Sequence, residues 1–247
     1  MKRAASCLQL DVGNSGAKWR LLLDGEVAAR GKYLAADWAS REALLNCAPQ
    51  LEQIWIASVA GPEAEAELLE LLSGRWRQQP WLARTPARSG RLRNSYAQPA
   101  LMGVDRWLAM LAAWERVRGG VCVVDAGSAL TIDLVDASGL HQGGYIIPGA
   151  FLMERALLLD TDRVRFAEQV EYELAPGVST AQAVRHGIAL AQAGALALAL
   201  ERAPGGAALP IVFCGGGGAL LRELAGRGGE LVPDLVFEGL ELMAADQ

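Results

Sequence analysis

Short apolar runs alternate with turn signals over the first 34 residues, and the same rhythm returns after residue 120. Leu8–Leu10 and Lys18–Leu23 read as paired strands, and Asp24-Gly25 turns the chain into a third over Val27–Leu34. Asp37–Leu45 has helical spacing with Asp37 placed as its cap, and Gln53–Val59 is a strand closed by Gly61-Pro62. Glu63–Leu72 carries acids in its first turn, as a helix dipole favours. Trp76–Ala83 reads as a further strand, interrupted by Pro80. Thr85–Pro99 then breaks every periodicity; it is polar, basic and turn-rich, the mark of a working loop. In Leu101–Arg116 the large residues Trp107, Met110, Leu111 and Trp114 recur at helical spacing and predict a buried face.

Gly119-Gly120 is the expected seam between halves, 1–118 and 119–247. Beyond it, Val121–Gly139 predicts a second hairpin. Gly143–Gly149 reads as a short strand that either brings backbone to a ligand or is simply buried. Phe151–Leu159 is a helix and Thr161–Pro176 an exposed loop. Ser179-Thr180 caps a long helix over Ala181–Glu201 that is apolar on most faces and must therefore be buried, in the core or against another chain. Arg185 and His186 are its polar exceptions, His186 reading as structural. Leu209–Phe213 is a strand, Gly215–Gly218 a turn that lets a nucleotide lie against backbone at the start of helix Ala219–Leu224, and Leu231–Met243 a last strand and helix.

The two hairpins are copies. In each, an apolar run ends in Asp-x-Gly and a small polar residue, and Asp11 to Gly25 and Asp125 to Gly139 both span 14 positions. One such segment is an ordinary turn signal. Two at matched spacing suggest halves of a phosphate clamp: Gly13 and Gly127 would take unusual backbone angles that let N–H groups approach an anion, Ser15 and Ser128 would add hydroxyl donors, and Asp11 and Asp125 would hold hydrated Mg²⁺.

Composition narrows the classes. A chain of 247 residues, 52% hydrophobic, buries one large core or two of about 120 residues each. A net charge of −5 with no long basic run argues against a nucleic-acid partner. Four scattered cysteines and two histidines argue against a disulfide framework or structural zinc, and for buried thiols in a reducing compartment. The N-terminus reaches Asp11 before a signal-peptide core could form, and Ile188–Leu200, at 13 residues, is too short to span a bilayer. A cytoplasmic protein without a membrane partner is the expectation.

Two hairpin loops and a late glycine turn together resemble the actin, hexokinase and heat-shock chaperone ATPases: α/β proteins of two duplicated actin-like (ribonuclease H-like) domains with the nucleotide in the cleft between them. The whole chain is similar to type III pantothenate kinases. The likeness rests on Asp11-Val-Gly-Asn-Ser15 with Lys18, Gly103-Val-Asp-Arg106, Asp125-Ala-Gly-Ser128 and Gly143-Gly-Tyr-Ile-Ile-Pro-Gly149. The G-x-D-R segment is the specific part.

That resemblance implies ATP-dependent phosphorylation of the primary hydroxyl of pantothenate, opening coenzyme A synthesis, by a homodimer using Mg²⁺ and K⁺ or NH₄⁺. It places Asp11, Val12, Gly13, Asn14, Ser15, Gly16, Ala17 and Lys18 at the ATP phosphates, with Asp11 reaching Mg²⁺ through water, and Ser128 on ATP. It makes Asp105 the general base, Tyr96, Gly103, Val104, Asp105, Arg106 and Thr180 the pantothenate site, and Asp125 the monovalent-cation ligand. The Ser at 128, where the family commonly has Thr, keeps the hydroxyl. Residue by residue, Asp105 also reads as a helix N-cap and Arg106 as a surface charge. Two histidines and no reactive thiol are poor material for a triad or metal hydrolase, whereas phosphoryl transfer needs one carboxylate and well-placed donors. Competing functions on the same fold are a sugar or acetate kinase, a polyphosphate phosphatase, and a nucleotide-binding accessory transcription factor. The chain lacks the Cys/His zinc site of repressor-like sugar kinases. The long helix is the expected dimer face.

Overall fold

The computed structural model describes residues 5–246. In chain order the elements are β1 (Ser6–Gly13), β2 (Gly16–Leu23), β3 (Glu26–Tyr33), α1 (Trp38–Leu45), β4 (Gln53–Ser58), α2 (Pro62–Arg75), β5 (Trp81–Leu82), β6 (Arg88–Ser89), β7 (Leu92–Arg93) and α3 (Val104–Val117). They continue with β8 (Val121–Ala126), β9 (Ala129–Val135), β10 (His141–Pro148), α4 (Ala150–Asp160), α5 (Thr180–Arg202), β11 (Ile211–Cys214), α6 (Gly218–Ala225), β12 (Glu230–Leu231) and α7 (Leu235–Ala245). Two compact units account for the chain. The first holds the described residues up to Ser89 with Tyr96–Ala112 and the C-terminal helix from Val236; the second holds Gly90–Ser95 and Ala113–Leu235.

The first unit is a five-stranded mixed sheet in the order β3-β2-β1-β4-β5. β1 and β2 pair antiparallel, so that Asp11 stands opposite Lys18 and Gly13 opposite Gly16, while β4 lies parallel on the other side with Ala57 beside Asp11. Asp24 (φ 52°) and Gly25 (φ 87°) form the left-handed two-residue turn that suits the twist of a hairpin. Leu8, Leu10, Ile54 and Ile56 of the sheet pack with Leu44, Leu68 and Leu72 of α1 and α2. Asp37 caps α1 as expected, accepting from the N–H groups of Ala39 and Ser40. The strand expected over Trp76–Ala83 shrinks to Trp81–Leu82, because Trp76 ends α2 and Pro80 denies the ladder a donor.

α7 returns to the first unit. Arg20, 5% exposed, donates to Gln9 Oε1 (2.6 Å) and Glu241 Oε1 (2.5 Å), and its guanidinium lies 4.7 Å from the Phe237 ring centre. A buried arginine is tolerated only with partners of this kind.

The second unit repeats the plan with its sheet in the order β10-β9-β8-β11-β12. Antiparallel hairpins occupy one side and parallel strands the other, Asp125 stands opposite Thr131 with Cys214 beside it, and Gly139 turns the chain at φ 82° as Gly25 does at 87°. Both copies even carry a register shift between their second and third strands. The duplication inferred from two aspartates is therefore a duplication of whole sheets.

β10 is an exposed strand, with Tyr145 and Ile146 at 45% and 63% exposure, so the alternative of a buried strand is ruled out. α5 runs 23 residues, capped by Ser179, close to the Ala181–Glu201 expected; by length and composition alone it is long and apolar enough to cross a membrane, the 13-residue stretch Ile188–Leu200 being only part of it. Its Ala193, Leu196, Ala199 and Leu200 are buried against Cys122, Ile132, Phe213 and Leu221 of the same unit. Cys7 and Cys122 are buried thiols pushed up to about 12 by loss of solvation, and Cys47 is half-buried and raised to about 11 for the same reason.

Candidate active site

The first loop lies at the tip of the β1–β2 hairpin. Val12 and Ala17 are buried opposite one another, Asn14 and Ser15 project at the turn, Lys18 is exposed, and Asp11 is half-buried. Gly16 is the residue with special backbone here, at φ 138°; a Cβ on it would stand 2.6 Å from the Tyr33 carbonyl oxygen. Gly13 has no such need: its nearest neighbour would be 3.7 Å from an added Cβ. The expectation of unusual angles at Gly13 and Gly127 is thus corrected, since neither has positive φ.

Val59 ties this hairpin to the G-x-D-R segment. Its N–H donates to the Val12 carbonyl (2.9 Å), and its Cγ1 would be 3.5 Å from a Cβ on Gly103. Gly103 starts α3 by accepting from the Trp107 N–H (3.2 Å), so Asp105 is in the first turn and is not the cap. The same absence of a Cβ makes room for Asp105 Oδ1, which a side chain at 103 would meet at 2.5 Å. Asp105 is half-exposed and accepts from the Arg106 N–H (2.7 Å).

Arg106 is no surface charge. It is 6% exposed, donates through Nη1 to the Tyr96 hydroxyl (3.0 Å), and lies 5.9 Å from that ring's centre. Two residues drawn from separate sequence segments are thus joined directly. Thr180 belongs to the second unit, exposed at the first position of α5.

In the second unit the loop at Gly127-Ser128 is gripped from two sides. The Gly149 N–H donates to the Ser128 carbonyl (2.9 Å), and a Cβ at 149 would overlap the Gly127 and Ser128 carbonyl oxygens. The Gly217 N–H donates to the Ala126 carbonyl (2.8 Å). Gly215, at φ 78°, packs so closely on Asp125 Oδ1 and the Ala126 carbonyl oxygen that no side chain fits there. The glycines of both expected turns therefore serve one loop.

The connection Thr161–Pro176 is irregular, as expected, but anchored. Tyr172 donates to Glu154 Oε2 (3.0 Å), Arg185 donates to both oxygens of Glu154 (3.1 Å each), and Arg185 lies 5.7 Å from the Tyr172 ring centre. Hydrogen bonds from Arg185 hold the Glu154 carboxyl below its ordinary range, while burial and the Glu154 contact raise the Tyr172 hydroxyl. His186 Nδ1 bonds the Ala175 carbonyl (2.6 Å), the structural role expected of it. The sequence reading overlooked Glu154 and Tyr172; the lone Arg185 at the head of an apolar helix was the available signal, since a buried guanidinium requires partners.

Residues 7–202 match the sequence profile of the type III pantothenate kinases. The chain belongs to the type III pantothenate kinase family. It is 40% identical over 185 residues to the type III pantothenate kinase of Marinobacter nauticus, covering 74% of this chain and 75% of that protein. It is 36% identical over 181 residues to the Hahella chejuensis family member, covering 73% and 74%. Among solved structures it is similar to a conserved Campylobacter jejuni protein, a candidate Baf family transcriptional activator, with a TM-score of 0.62, 23% identity and coverage of 96% and 98%. That likeness concerns the fold, which is of the actin-like ATPase and sugar kinase type. Type III pantothenate kinases are phosphotransferases that use ATP, generally with a divalent metal.

Proposed function

We propose that this chain transfers the terminal phosphoryl group of ATP to the primary hydroxyl of pantothenate, giving 4'-phosphopantothenate for coenzyme A synthesis. The observation that carries the reading is Val59, which in one unit joins the Asp11–Lys18 hairpin to the segment bearing Asp105 and Arg106. Phosphoryl transfer depends on positioning and charge neutralisation. In this reading the backbone N–H groups of residues 12–17, the Ser15 hydroxyl and Lys18 hold the ATP phosphates, and Ser128 contacts ATP from the second loop.

Asp105 takes the proton from the pantothenate hydroxyl. Its half-exposed carboxylate is steadied by the Arg106 N–H and given room by Gly103. Gly103, Val104, Arg106, Tyr96 and Thr180 bind pantothenate, the buried guanidinium of Arg106 offering charge to its carboxylate.

Metals fit the donors present. Among the described residues no cluster of three or more His, Cys, Asp or Glu side chains could cage an ion. One carboxylate with phosphates and water is the usual setting for Mg²⁺, and Asp11 would supply it. Mg²⁺ would supply neutralisation of phosphate charge. Asp125 Oδ1 and the Ala126 carbonyl oxygen, both beside Gly215, are hard oxygen donors of the kind a monovalent cation (K⁺ or NH₄⁺) would take.

The functional halves in this proposal are 1–118, with the first phosphate loop and the pantothenate segment, and 119–247, with the second loop and the glycine turn. The protein works in the cytoplasm as a homodimer, without a nucleic-acid or membrane partner. The exposed Leu190 and Leu198 of α5, 60% and 48% exposed, support that helix as the dimer face. A coupled ADP-release assay tests the activity. ADP production should depend on both ATP and pantothenate and rise on adding K⁺; absence of pantothenate-dependent ADP would remove the reading.

A further inference from the structure

The second unit buries a histidine and an aspartate that the reaction as described leaves unused. His141, at the start of β10, is fully buried, and its Nε2 lies 3.0 Å from Oδ1 of Asp133 on β9, itself 1% exposed. An ionised carboxylate only accepts, so Nε2 donates to Asp133 and leaves Nδ1, in the neutral ring, to accept from a hydroxyl. That hydroxyl is Ser95 Oγ, 2.9 Å away on an exposed residue. Apolar side chains of similar volume often stabilise a core as well as a buried charged pair does, so stability alone is a weak reason for this one. What the pair holds is Ser95, the end of a segment laid along the turn between β9 and β10. The Arg93 N–H donates to the Gly139 carbonyl (2.8 Å), its Nη2 donates to Ser138 Oγ (3.0 Å), and a Cβ on Gly139 would stand 2.6 Å from the Arg91 carbonyl oxygen. Residues 91, 93 and 95 are each fixed against residues 138–141.

We propose that Ser95 and His141 are positioning residues for Tyr96, which follows Ser95 directly. This rests on the reading of Tyr96 and Arg106 as part of the pantothenate site. The chain passes from the second unit to the first at the Ser95–Tyr96 peptide bond. Before that bond, the Ser95 hydroxyl is held by a ring that Asp133 holds in turn; after it, the Tyr96 hydroxyl accepts from Arg106 Nη1 (3.0 Å). No helix or strand places Tyr96. β7 ends at Arg93 and the next single turn begins at Pro99. A chain outside regular structure keeps two soft dihedrals per residue, whereas consecutive Cα atoms stay about 3.8 Å apart, so fixing Ser95 restricts where the Tyr96 ring can go. A side chain ordered in this way before its ligand binds spares the binding step that loss of freedom. The chemistry of the anchor suits the task. Apolar contact is non-directional and lets a segment slide, while an imidazole whose other nitrogen is fixed by a carboxylate offers one acceptor in one direction.

The test is a double-mutant cycle on Ser95 and Tyr96, with Ser95 chosen because its exposure makes the variant safe to fold. Ser95→Ala should raise the KM for pantothenate about fivefold, the size of one hydrogen bond, with kcat and the KM for ATP held within about twofold. Ser95→Thr keeps the hydroxyl and should restore the wild-type KM. In a Tyr96→Phe background there is no tyrosine hydroxyl to place, so Ser95→Ala should raise that KM no further. A hydrogen bond serving stability alone would act independently of Tyr96, and the two effects would multiply. The same cycle read by urea unfolding needs no pantothenate: the double variant should lose less stability than the two single variants together. An unchanged pantothenate KM in active Ser95→Ala, a threonine variant as impaired as the alanine one, or independent effects in either cycle overturns the proposal. A chain coupled in unfolding that makes no pantothenate-dependent ADP would keep the anchor on Tyr96 and lose the kinase reading. Turnover of pantothenate with independent effects in both cycles would do the reverse.

Discussion

The two units share a sheet order, an aspartate at the same register and a glycine at the same turn, and differ in what joins the third strand to the fourth. In the first unit that connection is a single helix of 8 residues; in the second it is α4, an anchored irregular loop and the 23-residue α5. A duplicated frame fixes where a loop can hold phosphate. The connection decides what surrounds it, and in the second unit it encloses a cavity. The loops diverge correspondingly: the first projects Asn14 and Ser15 from an open tip, while the second is clamped by Gly149 and Gly217.

The sharpest break of this comparison concerns chemistry. Asp105→Asn should lower turnover by about 10²–10⁴-fold, the usual size of a general-base contribution, while ADP and pantothenate still bind by calorimetry. Asp125→Asn, on the second unit's hairpin, should act on K⁺ dependence instead; near-normal turnover in Asp105→Asn removes Asp105 from its role. Next in size is the contrast between glycines. Gly149→Ala drives a methyl into the carbonyls of the second loop and should cost about 1–3 kcal/mol in denaturant unfolding, with weaker nucleotide binding. Gly13→Ala in the first loop, where the added carbon meets nothing closer than 3.7 Å, should leave unfolding unchanged.

The smallest effect separates two ion pairs. Glu154–Arg185 in the second unit has side chains 15% and 14% exposed, whereas in the first unit Arg84, the partner of Glu65, is 62% exposed. Both carboxyls are held below their ordinary range, chiefly by hydrogen bonds from their arginines. A depressed carboxyl contributes stability that is complete above its unfolded value and lost as pH falls through the folded one, so both contributions are present at neutral pH and fade in acid. Thermal melts should show Glu154→Gln destabilised by about 1 kcal/mol at pH 7, with the difference closing as pH falls below the glutamate range. Glu65→Gln should be indistinguishable from the wild type, as exposed pairs contribute about 0–1 kcal/mol.

Much of the frame was legible because it is written in periodicity and in turns. Strands bounded by Asp-Gly or Gly-Pro and helices capped by Asp37 and Ser179 are local statements, and local physics decided them. Trp76–Ala83 misled because its apolar residues belong partly to the end of α2. The glycines misled in another way. A sequence shows that position 13 or 149 is glycine, but whether it needs positive φ, a missing Cβ or neither depends on what packs against it from elsewhere in the chain. Arg106, read as an exposed charge, is buried because Tyr96 arrives from a loop ten residues earlier.

The return of α7 to the first sheet has a consequence for how the molecule is made. Arg20 closes its contacts with Phe237 and Glu241 across a separation of 221 residues for the Glu241 pair, one of the longest loops the chain can form. Translation delivers those partners only after every strand of the second unit. The half that is synthesised first is therefore finished second: until α7 emerges Arg20 has Gln9 but not Glu241 or Phe237, so its last contacts are the non-local, slow ones.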